Sequence, residues 1–382
     1  MRILLQSRPE LFWHGGGEAQ QILRLREELL RREIHAEVST DSAPNLDGCD
    51  LVHLFNITHP SATLVQALHA REQGKPILLS PVYQDLGEYN RKGRYGLAHL
   101  AYRMVRDQRS VERIKDWMRV ALHPASWSAY GRVRHWNIDE QRKRVLELAE
   151  GLVTNSHSEM EALRRDYGAR QRYTVATYAV HPIFFEARPE SFYERSGLRD
   201  FVVCAGFISS LKNQLRLIRA LRHTGLTLVV VGPKVNTHRY YYYRVRYEAA
   251  RRDPCVILLG RMSQQELASV FAAAKVVVLP SWFETCGMAC LEGAAAGANA
   301  VITNRGYTRE YFRDFAWYCD PSDVSSIRTA VLSAYEAPRR TEFADYIRRH
   351  YTWEKAAEST LDLYQEVLRT SVASKGIPMS AR

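Results

Sequence analysis

Two glutamates eight residues apart, Glu284 and Glu292, stand in the stretch Pro280-Ser281-Trp282-Phe283-Glu284-Thr285-Cys286-Gly287-Met288-Ala289-Cys290-Leu291-Glu292-Gly293. An ionised carboxylate accepts hydrogen bonds from hydroxyls, so such a pair suits ribose or a sugar ring. The free N–H groups of a helix start suit a phosphate. This stretch offers both. The apolar run 276–279 before it reads as a parallel strand buried on both faces, because neither face carries a polar residue. Pro280 and Ser281 stop that strand, helical spacing begins near Gly287, and the run Ala294-Ala295-Ala296-Gly297-Ala298 lets the helix lie close to a sheet. Glu284 therefore falls on a loop at the carboxyl end of a strand, where open α/β sheets bind ligands, and Glu292 about one turn into the helix. Glutamate pairs at this spacing are also common on exposed surfaces, so the rest of the chain must supply the context.

A second place for a ligand lies near the start. The loop Trp13-His14-Gly15-Gly16-Gly17-Glu18 follows a short strand, 2–5, and precedes an amphipathic helix, 18–32. Gly15, Gly16 and Gly17 let backbone approach a ligand closely, although the cluster is neither a Gly-x-Gly-x-x-Gly fingerprint nor a P-loop.

The elements that must hold these residues alternate. Strands at 50–55, 76–80 and 151–156 are interleaved with helices at 61–73 and 158 onward, the last capped by Ser158 with Glu161. A second series follows: strands at 201–206, 226–231, 256–259 and 300–303, with helices at 213–223, 240–251, 322–336, 340–349 and 353–368, and a capping box at Ser263 and Glu266. Repeated β-then-α units predict α/β architecture, two doubly wound parallel sheets with helices on both faces. At 382 residues the chain suits two domains. We expect an N-terminal domain over 1–185, joined by a helix at 352–370, a second domain over 186–351, and a disordered tail at 371–382. The tyrosines 240–243, at helix spacing, are expected to cover a core or an interface.

Composition narrows the class. With 46% hydrophobic and 25% charged residues the chain reads as globular, and no apolar run approaches the roughly 20 residues of a bilayer span. Its first residues turn polar too quickly for a signal peptide, and its six scattered cysteines read as buried thiols of a reducing compartment, so a cytoplasmic location is expected. The net charge of +11 is uneven: residues 91–144 hold fourteen Lys/Arg against five Asp/Glu, interleaved with aromatics such as Tyr95, Trp117 and Trp136. Such a segment is a solvated helical face or meets an anionic membrane surface; a nucleic-acid groove is the weaker reading.

The pattern Pro-Ser-x-x-Glu-x-x-Gly-x-x-x-Leu-Glu-x-x-Ala-x-Gly over 280–297 resembles the signature of retaining glycosyltransferases with the GT-B fold, family four, also called group 1. The resemblance implies two Rossmann-like domains facing a cleft. It also implies transfer of a sugar from a UDP- or GDP-sugar to a hydroxyl of a glycan or lipid-linked acceptor, in cell-surface polysaccharide synthesis, with no metal and no cofactor. The absence of any Asp-x-Asp accords with a metal-free site. Under the resemblance Glu284 contacts the transferred sugar and Glu292 the ribose. Lys212, in Gly206-Phe207-Ile208-Ser209-Ser210-Leu211-Lys212, matches the lysine of a Gly-Arg-x-x-x-x-Lys motif that holds the diphosphate. Gly206, Met262, Cys286, Gly287 and Met288 match other donor contacts, with the glycines 15–17 facing the diphosphate and sugar. Phe207 departs from the family, standing where its arginine would be, and Arg261, Arg305 and Arg309 are alternative cations. Arg305-Gly306-Tyr307-Thr308-Arg309-Glu310 resembles a Gly-Gly-x-x-Glu loop that lost its second glycine. The family's first-domain histidine has no match after the strand 76–80, where Tyr83 or Asp85 would take its place; His14, His53, His123 and His157 read as structural. Other readings of the same residues are a nucleotide-sugar epimerase or phosphorylase, and a non-enzymatic polyanion- or membrane-binding module whose donor site has decayed at Phe207.

Overall fold

The computed structural model describes residues 1–9, 11–14, 16–58, 60–96, 131–133, 135–251 and 253–375. They form two compact units, each around a six-stranded parallel sheet. The first holds β1 (Arg2–Gln6), β2 (His35–Ser39), β3 (Leu51–Phe55), β4 (Ile77–Ser80), β5 (Gly151–Thr154) and β6 (Arg172–Val175), in the order β2-β1-β3-β4-β5-β6. The second holds β7 (Val202–Ala205), β8 (Leu228–Val231), β9 (Val256–Leu259), β10 (Val276–Leu279), β11 (Asn299–Thr303) and β12 (Trp317–Cys319), in the order β12-β11-β10-β7-β8-β9.

The central strands form from short apolar runs. β3, β4, β7, β8 and β10 are buried at every residue, as expected of strands covered by helices on both faces. In the first unit the helix Gly17–Arg31 turns Ala19, Ile22, Leu25 and Leu29 onto the sheet, a stripe of helical period. The same core takes Ala357, Tyr364 and Val367 from the last helix, Trp353–Lys375. His53 of β3 is fully buried there, its ring between the Tyr364 hydroxyl at 2.6 Å and Ser80 Oγ at 2.9 Å. Burial pushes its pKa down to about 3, so it is a neutral core residue. In the second unit the helix Met288–Ala295 lies hard against β10: a Cβ added at Gly293 would meet the Val277 side chain at 2.8 Å.

Several boundaries differ from the sequence reading. Three of the four edge strands, β2, β6 and β12, are not among the expected strands: β2 and β6 carry polar residues and β12 is three residues long. The second unit takes up the chain at Ala179 rather than 186 and also includes residues 84–96, expected in the first domain. There the Tyr89 hydroxyl meets Ser210 Oγ at 2.8 Å, and Gly93 sits where any Cβ would strike the Trp282 ring. The cap of the helix His157–Tyr167 is Ser156, which accepts the Glu159 N–H, two residues before the Ser158–Glu161 pair. The Ser263–Glu266 capping box is present as read. The last helix continues to Lys375, past the expected start of the tail at 371; residues 376–382 lie outside those described, as do 97–130 of the basic segment. Of the tyrosine run, Tyr241 is buried, but Tyr240 and Tyr243 are 69% and 49% exposed.

Candidate functional site

In the second sheet the chain builds outward from β7 to β9, then returns to place β10 on the other side of β7. β7 and β10 are thus the neighbours at which the strand order reverses, and the carboxyl ends of strands at such a reversal are where open α/β sheets bind ligands. Lys212 stands on the loop after β7 and Glu284 on the loop after β10, and their side chains meet, Lys212 Nζ donating to Glu284 Oε1 at 2.5 Å. Burial alone would lower the lysine's pKa; the adjacent Glu284 carboxylate outweighs it and holds the ammonium above its ordinary value. The two groups form a neutral pair from 72 residues apart.

Three further contacts fix these loops. Trp282 N–H donates to the Leu211 carbonyl at 2.9 Å. Asn213, buried and at φ +63°, donates through Nδ2 to the carbonyls of Pro280 and Pro321, each at 2.9 Å. Glu284 pairs with Gly306 as a parallel bridge, and its carbonyl accepts the Tyr307 N–H at 3.0 Å. Gly306 has φ +90°, and an added Cβ would lie 1.9 Å from the Glu284 carbonyl oxygen, so glycine is required on both counts. Neither Asn213 nor Gly306 stands out in the sequence as a contact, although the turn chemistry of both residue types is a signal of a kind.

Glu292 lies on the second turn of the helix Met288–Ala295 and is 8% exposed. Among the described residues its carboxylate meets neither a cation nor a hydrogen-bond donor, and burial pushes its pKa up to about 8. Gly287, at φ +76°, is the N-cap of this helix and Met288 its first residue. Cys286 beside them is buried, and that burial, with Glu284 nearby, pushes its thiol well above the ordinary range. Gly206, at the end of β7, lies under the Lys212 side chain, where an added Cβ would meet Cε at 3.6 Å.

The structure thus gathers Lys212, Gly206, Glu284, Cys286, Gly287, Met288 and Glu292 at β7 and β10. Met262 is half-buried after β9, two strand positions from β7. Gly16 and Gly17 open a helix of the first unit, and Gly15 lies outside the described residues. Tyr83 does not present a free hydroxyl: it donates to Asp166 Oδ2 at 2.8 Å. Asp85 accepts the Gly87 N–H at 2.9 Å. Of the alternative cations, Arg309 stacks over Tyr318 at 4.4 Å and Arg261 is exposed. Arg305 lies next to Gly306 in the chain and is held by Glu88 at 2.7 Å and Asp320 at 3.1 Å. Hydrogen bonding from Arg305 keeps the Glu88 carboxyl below its usual range.

Among the described residues no group of three or more His, Cys, Asp or Glu is arranged to hold a metal, and no helix is long and apolar enough to cross a membrane. What the β7–β10 site offers is a cation beside two buried carboxylates and a helix start, the donor set for an anionic, hydroxyl-rich ligand.

Residues 192–350 match the family described as Glycosyl transferases group 1. A D-inositol 3-phosphate glycosyltransferase of Stackebrandtia nassauensis is 30% identical over 267 residues, which span 63% of this chain and 59% of that relative's length. Sucrose-phosphate synthase from Thermosynechococcus elongatus overlays with a TM-score of 0.71 at 14% identity, covering 97% of this chain and all 100% of that one. An Anabaena protein solved with UDP and glucose overlays with a TM-score of 0.62, also at 14% identity, over 96% of this chain and 100% of its own. The chain therefore has the two-sheet GT-B fold, and its residues 192–350 match the glycosyl transferases group 1 family.

Proposed function

We propose that the protein is a retaining hexosyltransferase that moves a sugar from a UDP- or GDP-sugar to a hydroxyl of a glycan or lipid-linked acceptor, in cell-surface polysaccharide synthesis. The observation that carries the reading is the meeting of Lys212 with Glu284 at the sheet's reversal, with the carboxylate of Glu292, unpartnered among the described residues, eight residues on. The Anabaena protein solved with UDP and glucose supports a nucleotide-sugar donor.

In this reading Lys212 holds the diphosphate. As the glycosidic bond breaks, negative charge grows on the leaving phosphate, and a fixed ammonium stabilises that change more than it stabilises the ground state. Glu284 accepts hydrogen bonds from the sugar hydroxyls, and Glu292 from the ribose. Gly287 and Met288 present the helix start to the donor, with Gly206, Cys286 and Met262 as further walls; the family pattern also assigns Gly15, Gly16 and Gly17 to donor binding. Retention follows if the departing phosphate oxygen takes the acceptor proton on the face it leaves, which requires no protein nucleophile. Arg305 is the second cation in place of Phe207: its backbone is joined to Glu284, and an arriving diphosphate competes with Glu88 and Asp320 for its guanidinium. The reaction needs neither metal nor cofactor. The protein works in the cytoplasm at the inner membrane face, reached through the basic segment 91–144.

The test is calorimetric titration of UDP and GDP, with chelator present, into the wild type and Glu292→Ala. One nucleotide binds the wild type and not the variant. Binding of neither by folded wild type overturns the donor site.

A further inference from the structure

The helix Arg239–Ala249 buries Tyr241, Val245 and Glu248 and turns Tyr240, Tyr243 and Tyr247 outward, 69%, 49% and 57% exposed. Spacings of three and four residues put these rings in one stripe along the helix. Scattered exposed tyrosines are ordinary; three in line form a continuous apolar strip, the kind of surface that marks an interaction site. Tyr95 of the basic segment 91–144, 40% exposed, stands edge-on against Tyr241 of this helix.

The strip is framed by cations. Arg239 and Arg246 are exposed on the same helix. The Lys234 ammonium lies 5.1 Å from the Tyr243 ring centre, and the Arg244 guanidinium 5.0 Å from that of Tyr247. The helix has one acid, Glu248, and its carboxylate points inward, neutralised by Arg222 at 2.6 Å and Arg244 at 2.9 Å. Glu248 thus offsets Arg244, and no other carboxylate of this helix stands against Arg239 and Arg246.

We infer that this face docks on the surface of an anionic lipid bilayer. A tyrosine ring is amphipathic and settles at headgroup depth, ring towards the acyl chains and hydroxyl towards water. Arginine and lysine stems lie along such a surface while their charges reach the lipid phosphates. The side of a helix is convex and presents a line of rings, which fits a broad surface better than a single nucleic-acid strand or a peptide seeking a groove. Apart from Tyr95, this contact uses residues distinct from those of the donor site and from the basic segment, and it stands or falls separately from the transferase reading.

The experiment is flotation of the full-length chain with vesicles of phosphatidylcholine plus phosphatidylglycerol, against phosphatidylcholine alone. The wild type floats with the anionic vesicles only. A basic residue near an anionic leaflet contributes about fivefold in partitioning, so Arg239→Ala with Arg246→Ala weakens binding by about 30-fold. Replacing Tyr240, Tyr243 and Tyr247 together by serine weakens it by on the order of tenfold or more. Both variants change exposed residues, so each keeps the wild-type unfolding midpoint and calorimetric nucleotide titration. Three results overturn the inference: no flotation of the wild type, equal flotation with zwitterionic vesicles, or a serine variant that floats as well as the wild type. The last would mean that the face is a general polyanion surface, and binding of single-stranded RNA by that variant at wild-type strength would identify it as one.

Discussion

Glu292 gives the site a signature that appears without any ligand. Its carboxyl is 8% exposed, has no partner among the described residues, and is pushed by burial from 4.5 up to about 8. Between those two values the folded protein keeps a proton that the unfolded chain has released, so stability falls as pH rises through the window. The full displacement corresponds to about 5 kcal/mol favouring the protonated form. Integrated from about pH 6 to about pH 9, the loss is about 2–3 kcal/mol, because most of the change lies below and around the folded value. Glu292→Gln keeps the shape and removes the titration. Urea denaturation of both proteins at several pH values isolates this residue, since all other groups cancel in the difference. The wild type loses about 2–3 kcal/mol relative to the variant over that range. Parallel stability curves for the two proteins would refute the reasoning and mean that the carboxyl is ionised and solvated. The same burial predicts a linked effect on binding: ribose hydroxyls stabilise the ionised carboxylate, so UDP binding near neutral pH releases a proton. The apparent binding enthalpy then changes with the ionisation enthalpy of the buffer, and does not do so in Glu292→Gln.

Other outcomes follow from the same geometry. Lys212→Met leaves the Glu284 carboxylate, 8% exposed, without its cation and costs about 3–5 kcal/mol in urea denaturation, whereas Lys212→Met with Glu284→Gln restores most of the stability and still binds no nucleotide. Gly306→Ala drives a Cβ into the Glu284 carbonyl and forces a positive φ on alanine, so it lowers stability by about 2 kcal/mol or more and weakens nucleotide titration. Tyr364→Phe leaves the buried His53 nitrogen without its hydroxyl partner and costs about 1–3 kcal/mol, read by denaturation, with nucleotide affinity unchanged.

What the sequence determined by itself is local. The valine runs of β7, β8 and β10 are buried on both faces and can only be central strands, so the pattern announced them. The capping box at Ser263 and the strand-loop-helix run through Glu284 and Glu292 were readable because each is set by residues a few positions apart. Three of the four edge strands were not, since β2 and β6 carry polar residues and β12 is three residues long, whereas the edge strand β9 is an apolar run and was read at 256–259. Tertiary structure alone decided the rest. Lys212 and Glu284 are 72 residues apart and meet only because β10 returns beside β7. Gly306 is legible as a turn residue, but its reason, the carbonyl of Glu284, arrives from a neighbouring loop. Residues 84–90 read as part of the first domain and 91–96 as the start of a charged segment, yet Tyr89 and Gly93 pack on Ser210 and Trp282, a docking set by surface shape rather than by periodicity. The tyrosines of 240–247 have one spacing and two fates: packing takes Tyr241 inward to meet the Leu215 N–H, and helix geometry then leaves Tyr240, Tyr243 and Tyr247 facing out.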